Sequence, residues 1–278
     1  MCKAVAPLTG TNSARYLTPR PLDSTASAMG YYEYLPPSYR DAGAQSPLLV
    51  ALNGYGENGD GTADGLRNLL ATGIPRFIDV GGWPTDRPLV VLAPQHVEDP
   101  PGFNFEACNT PAVIWFGSCA MQLQHDRDHA SPAFCTTPGE IHDFISYALA
   151  RYNVDPKRIY VTGLSCGGFG AWEYLATYGN QQVAAAIPIA GDGRPAWTTA
   201  GCGLDSVAIW AFHGGLDDVV DPRGSIGPLT DLADCPGVPT NRARLTVYPD
   251  LTHDGWDQAY SGSLGDDIYT WMLGFSKP

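Results

Sequence analysis

Lysine is nearly missing from this chain: three residues in 278, at Lys3, Lys157 and Lys277. Lys plus Arg reaches 16 against 29 for Asp plus Glu, a formal net charge of −13. So few cations cannot neutralise a run of phosphates, which disfavours a nucleic-acid partner. The same deficit disfavours an anionic membrane surface. No segment approaches ~18 consecutive apolar residues, so no membrane span is expected. Charged residues make up only 16% and hydrophobic ones 44%, which excludes disorder as the main state. No repeat and no linker divides the sequence. At ~100–200 residues per domain its length allows one large domain or two small ones. One domain is expected over 29–278, preceded by an irregular arm, 1–28, lying on it.

Glycine (32) and proline (24) are plentiful and imply many turns and long loops. Seven cysteines are also present: Cys2, Cys108, Cys119, Cys135, Cys166, Cys202 and Cys235. Cys166 is read as a free thiol beside a nucleophile. The other six then have even parity, compatible with up to three bridges of open connectivity. That usage points to a secreted or periplasmic protein. Behind Met1-Cys2-Lys3 there is no apolar stretch of a secretory leader, so the chain is read as a mature form. Cys2 could carry a lipid anchor, although parity favours a disulfide for it.

Short apolar runs recur along the chain: 31–35, 48–52, 89–93, 159–162, 184–190, 208–212 and 245–248. Each reads as a buried strand. Helical patterns fall between them at 63–78, 139–152 and 167–178, and one closes the chain at 264–275. Strands alternating with helices predict an α/β fold with a mostly parallel sheet covered on both faces. Residues 96–138 break the rhythm. They hold three of the cysteines and follow the carboxyl end of a strand, where ligands bind in open α/β sheets. We read them as a disulfide-braced insertion placed to wall the active site.

The strongest local signal is Gly163-Leu164-Ser165-Cys166-Gly167, followed by Gly168. It has the form G-x-S-x-G, lies after a strand and precedes a helix. A sharp turn there lifts a serine hydroxyl clear of the sheet. Ser165 is the candidate nucleophile, and its hydroxyl needs a base. Two histidines follow it, His213 and His253. His253 stands in a loop after a strand near the chain end, the place for the base in the order Ser, acid, His. His213 is read as structural, shaping the turn that presents the acid. Asp217 is the candidate acid, with Asp218 and Asp221 as rivals on the same loop. Oxyanion donors are expected from the backbone N–H groups of Cys166 and of Tyr55, the latter in the glycine-rich loop 53–61. That loop lacks the spacing of a calcium loop, and His125-Asp126-Arg127-Asp128-His129 reads as a solvated face, so no metal is expected. Trp115 and Trp256 are candidate platforms for substrate, Trp256 having packing of the His253 loop as its plainer role. Trp172 reads as core.

The sequence resembles the α/β-hydrolase superfamily. Within it, the chain is similar to the group of predicted peptidases, phospholipase/carboxylesterase-like enzymes and polyhydroxybutyrate-depolymerase-like esterases. The matching stretches are 52–57, 158–168, 185–191, 210–214 and 253–260. The resemblance implies Ser165, Asp217 and His253 as the triad. The chain departs from the group at Asn53, where His is usual, at Cys166, where Met is frequent, and in the length of 96–138. These readings together predict a secreted serine hydrolase of carboxylic esters working without a cofactor, with a monomer favoured. Its expected substrates are feruloyl or acetyl esters of plant polysaccharide, or an aliphatic polyester. The alternatives are a peptidase on the same triad and a catalytically silent binding protein.

Overall fold

The computed structural model describes residues 17–97 and 135–278. Its frame is an eight-stranded sheet in the order β1-β2-β4-β3-β5-β6-β7-β8. The strands are β1 (Thr18–Arg20), β2 (Tyr31–Tyr34), β3 (Ser46–Leu52), β4 (Val90–Pro94), β5 (Val154–Leu164), β6 (Ala185–Ile189), β7 (Ala208–Gly214) and β8 (Ala243–Tyr248). β1 and β2 pair antiparallel at one edge, and from β4 to β8 every pairing is parallel. Strands β3, β4, β6 and β7 are buried along their whole length, which explains why they read as continuous apolar runs rather than alternating ones. β1 arises within the stretch expected to be an irregular arm; residues 1–16 lie outside the described residues.

Two hydrophobic clusters sandwich the sheet. One holds Leu48, Val50, Val161 and Ile209 beneath Phe144, Ile145 and Trp172. The other holds Leu49, Val91, Ile187 and Phe212 against Leu66, Ile74, Tyr260 and Met272. Alternate residues of each strand serve opposite faces, as a pleat requires. The helices are α1 (Gly73–Asp79), α2 (Pro138–Arg151), α3 (Cys166–Tyr178), α4 (Arg194–Ala200), α5 (Arg223–Ala233), α6 (Trp256–Ser261) and α7 (Ile268–Leu273).

Two helical expectations need correction, and one helix was not expected. The helix expected over 63–78 is a 3-10 turn, Gly65–Leu70, followed by α1. Pro75 is tolerated only in a first turn, and Gly73 enters α1 with φ of 66°. The helix expected over 264–275 is shorter, α7 alone; α6 lies ahead of that range and is closed by Gly262 in the left-handed conformation. Asp267 then opens α7 by accepting from Thr270 N–H at 3.0 Å. α5 was hidden by Gly224, Gly227 and Pro228. Pro228 cannot donate to the carbonyl of Gly224, and that carbonyl instead accepts the N–H of Gly193 at 2.8 Å. The glycines and proline that disguise the helix thus tie α5 to the turn before α4.

Candidate active site

Ser165 lies between β5 and α3 with φ of 50° and ψ of −115°. A non-glycine residue at positive φ is strained by about 1–3 kcal/mol and persists only where its surroundings hold it. Here Ser165 N–H donates to Ile189 O of β6 at 2.9 Å, and Phe169 N–H donates to Ser165 O at 3.0 Å. Glycine is required on both flanks: a Cβ on Gly163 would strike the carbonyl of Gly167, and one on Gly167 would stand 2.6 Å from Leu52 O. The G-x-S-x-G spacing is therefore a packing requirement of a turn crowded from both sides.

His253 comes from the loop after β8 and Asp217 from the loop after β7. His253 Nε2 is 2.9 Å from Ser165 Oγ. His253 Nδ1 is 2.8 Å from Asp217 Oδ2. The order Ser, Asp, His read from the sequence is thus one connected line of side chains. Asp217 is buried, and its other oxygen, Oδ1, accepts the N–H groups of Val219 and Val220, each at 2.9 Å. Burial alone would raise its pKa. Donors on His213, His253 and Val220 outweigh that and hold the carboxyl well below the usual carboxylate range. Asp217 is thus held in its ionised form, with Oδ2 against the His253 ring.

The rival acids lie elsewhere. Asp218 is exposed. Asp221 binds Arg223 Nη2 at 2.6 Å and Arg194 Nη1 at 3.6 Å, tethering the far end of the acid loop. His213 is fully buried at the end of β7, in keeping with a structural role. Its Nδ1 lies 2.8 Å from Ser225 Oγ, and its Nε2 faces Val220 O at 3.0 Å and Asp217 Oδ2 at 3.1 Å.

Cys166 is not a free thiol. It forms a disulfide with Cys135, so the parity argument that set it aside falls. Its side chain turns into a small buried cluster with Cys135, against which Tyr55 packs. Cys202 and Cys235 form a second disulfide. Cys2, Cys108 and Cys119 lie outside the described residues, as do Trp115 and most of the insertion. The Cys135 end of the insertion is covalently fastened next to the nucleophile.

Tyr55 starts a 3-10 turn, Tyr55–Glu57, immediately after β3. Gly54 brings this loop onto the elbow, since a Cβ there would be 2.6 Å from Leu164 Cδ1. Asn53 braces it: Nδ2 donates to Gly54 O at 2.7 Å and to Asn58 Oδ1 at 2.8 Å, while Oδ1 accepts His96 N–H at 3.0 Å. The asparagine that departs from the group's histidine thus ties the loop to the end of β4. Trp256 meets His253 edge to face, ring centroids 5.2 Å apart, and donates Nε1–H to Thr72 Oγ1 at 2.7 Å. It packs against His253, the plainer of the two roles expected for it. Trp172 is core, as expected.

Neither a protein-family model nor a curated protein matches the chain. Solved structures do. A thermostable esterase aligns at 25% identity and a TM-score of 0.57, over 94% of this chain and 63% of the esterase. This chain therefore spans less than two thirds of that neighbour's length. TT1662 from Thermus thermophilus gives 17% identity and a TM-score of 0.57, over 92% of this chain and 98% of that one. An acylaminoacyl peptidase from Pyrococcus horikoshii gives 12% identity and a TM-score of 0.51, over 90% of this chain and 39% of its own. Sheet order, elbow and neighbours agree: the chain has the fold of the α/β-hydrolase superfamily.

Proposed function

We propose that this protein is a serine hydrolase of carboxylic esters. The carrying observation is the unbroken line Ser165 Oγ, His253 Nε2, His253 Nδ1, Asp217 Oδ2, with contacts of 2.9 and 2.8 Å. Ser165 Oγ attacks the ester carbonyl while His253 takes its proton. The oxyanion is received by the N–H groups of Tyr55 and Cys166, on the two loops that Gly54 and Leu164 bring together. The alcohol leaves with the proton from His253, and water activated by His253 then clears the acyl-enzyme. Every step uses a side chain or backbone group of the chain itself. The two disulfides support a secreted or periplasmic setting. The substrate class that fits such an enzyme is an acyl ester of plant polysaccharide, feruloyl or acetyl, or an aliphatic polyester.

The test is hydrolysis of p-nitrophenyl acetate, butyrate and octanoate, methyl ferulate, acetylated xylan and a polyester film, with Ser165→Ala alongside. The variant is expected to lose at least about a thousandfold in kcat. Equal rates in both proteins, or none in either, would overturn the reading. The peptidase neighbour motivates one further arm, a p-nitroanilide matched to the best ester. Faster cleavage of the anilide would move the assignment to a peptidase.

A further inference from the structure

His213 plays no part in the proton transfer described above, yet it occupies the same carboxylate oxygen as the base. Asp217 Oδ2 is 2.8 Å from His253 Nδ1 and 3.1 Å from His213 Nε2. We infer that His213 is a positioning residue for the triad acid, a second imidazole that fixes the Asp217 carboxylate and shares its charge. The inference rests on the triad reading proposed above.

The neighbours of His213 assign its protons. Nε2 faces two acceptors, Val220 O at 3.0 Å and Asp217 Oδ2 at 3.1 Å, so it carries a hydrogen, bonded to Val220 O with the carboxylate oxygen close beside it. Nδ1 faces Ser225 Oγ at 2.8 Å, a hydroxyl able to donate. Ser225 sits on α5 and is fully buried, so the ring is clamped from the helix on one side and the acid loop on the other. Val220 is clamped twice, its N–H on Asp217 Oδ1 and its carbonyl on His213. Asp217 Oδ1 takes two backbone donors and Oδ2 takes two imidazoles. Three hydrogen bonds and the close His213 ring leave the carboxylate one orientation.

The charged groups near this acid come from several elements. His213 faces it from β7 and His253 from the loop after β8. On its own loop Asp218 points to solvent, and Asp221 is engaged by Arg194 of α4 and Arg223 of α5. Removing the His213 donor would leave His253 as the one remaining donor to Oδ2. More of the negative charge would then fall on His253, while the carboxylate would lose the restraint on its plane.

The experiment compares His213→Leu, His213→Gln and Ser225→Ala with wild type. It uses ester kinetics across pH and the downfield proton resonance of the His253 ring N–H. In His213→Leu, kcat is expected to fall roughly ten- to hundredfold with KM unchanged, the worth of one hydrogen bond to a charged group. The acid limb of the rate profile moves to higher pH, and the His253 resonance moves further downfield. His213→Gln retains an amide donor and recovers most of the loss. Ser225→Ala, which frees the ring on one side, shows a smaller change in the same direction. Wild-type rates, limb and resonance in His213→Leu would overturn the inference; should that variant fail to fold, wild-type behaviour of Ser225→Ala would do so. The resonance is read without turnover. If wild type hydrolyses no ester, the proposed function falls, and the resonance still decides whether His213 holds Asp217.

Discussion

At the scale of single residues, Asp217 carries the sharpest consequences. Asp217→Asn keeps the shape but presents His253 with an amide instead of a charge, and kcat is expected to fall about 10⁴-fold. The same residue links stability to pH. Its folded pKa lies below the ordinary value of 3.8, so its contribution is complete above that value, where the unfolded chain is ionised too. As pH falls below 3.8, the unfolded chain takes up a proton that the folded chain refuses, and the contribution drains away. Urea midpoints of wild type and Asp217→Asn should therefore differ by a constant amount from about pH 5 to 8, and the wild-type advantage should shrink below about pH 4. That Ser165, His253 and Asp217 meet was legible because each follows a strand end in a fixed chain order. The oxidation state of Cys166 was not. Nothing in the sequence says that Cys135, 31 positions earlier, returns to within bonding distance of the elbow. Trp256 stood open between substrate platform and packing until its contacts with His253 and Thr72 were seen.

At the scale of elements, the strand ends matter more than the strands. Gly214 ends β7 directly beneath the base loop. A Cβ there would strike the carbonyl of Thr252 and lie 2.5 Å from that of Leu251. Gly214→Ala should push the His253 loop outward and lower kcat about 100-fold, while far-UV circular dichroism stays native. Loss of activity without this retention would mark a folding defect instead. The interior strands were readable because burial on both faces makes them short apolar runs. β5 was read from Ile159 and starts at Val154, since Pro156 and a register shift between Ser46 and Leu48 blur its beginning. The helices were harder. α4 and α5 are short or interrupted by glycine and proline, and they are held by tertiary bonds such as Gly193 N–H to Gly224 O rather than by periodic apolar residues.

For the molecule as a whole, the two disulfides of the described residues should separate stability from catalysis. Cys202 and Cys235 tie the end of α5 to the 3-10 turn Gly201–Ser206, at the opposite end of α5 from Ser225, which contacts His213. The Cys202→Ala/Cys235→Ala pair is expected to cost roughly 2–4 kcal/mol in urea unfolding with kcat/KM unchanged at 25 °C. The Cys135→Ala/Cys166→Ala pair should cost stability and lower kcat as well, because it loosens the residue that follows the nucleophile and the surface on which Tyr55 rests. Equal kcat in the two double variants would show that the elbow does not need its bond.

The Cys135–Cys166 bond also has a bearing on synthesis. Its loop encloses only α2 and β5, and its two ends are 31 positions apart. A chain made from its amino end presents both cysteines, with β3 and β4 already complete, before Asp217 or His253 has been added. The Ser165 turn can therefore be locked while Asp217 and His253 are still to come, and the last segments dock onto a serine that is already in place.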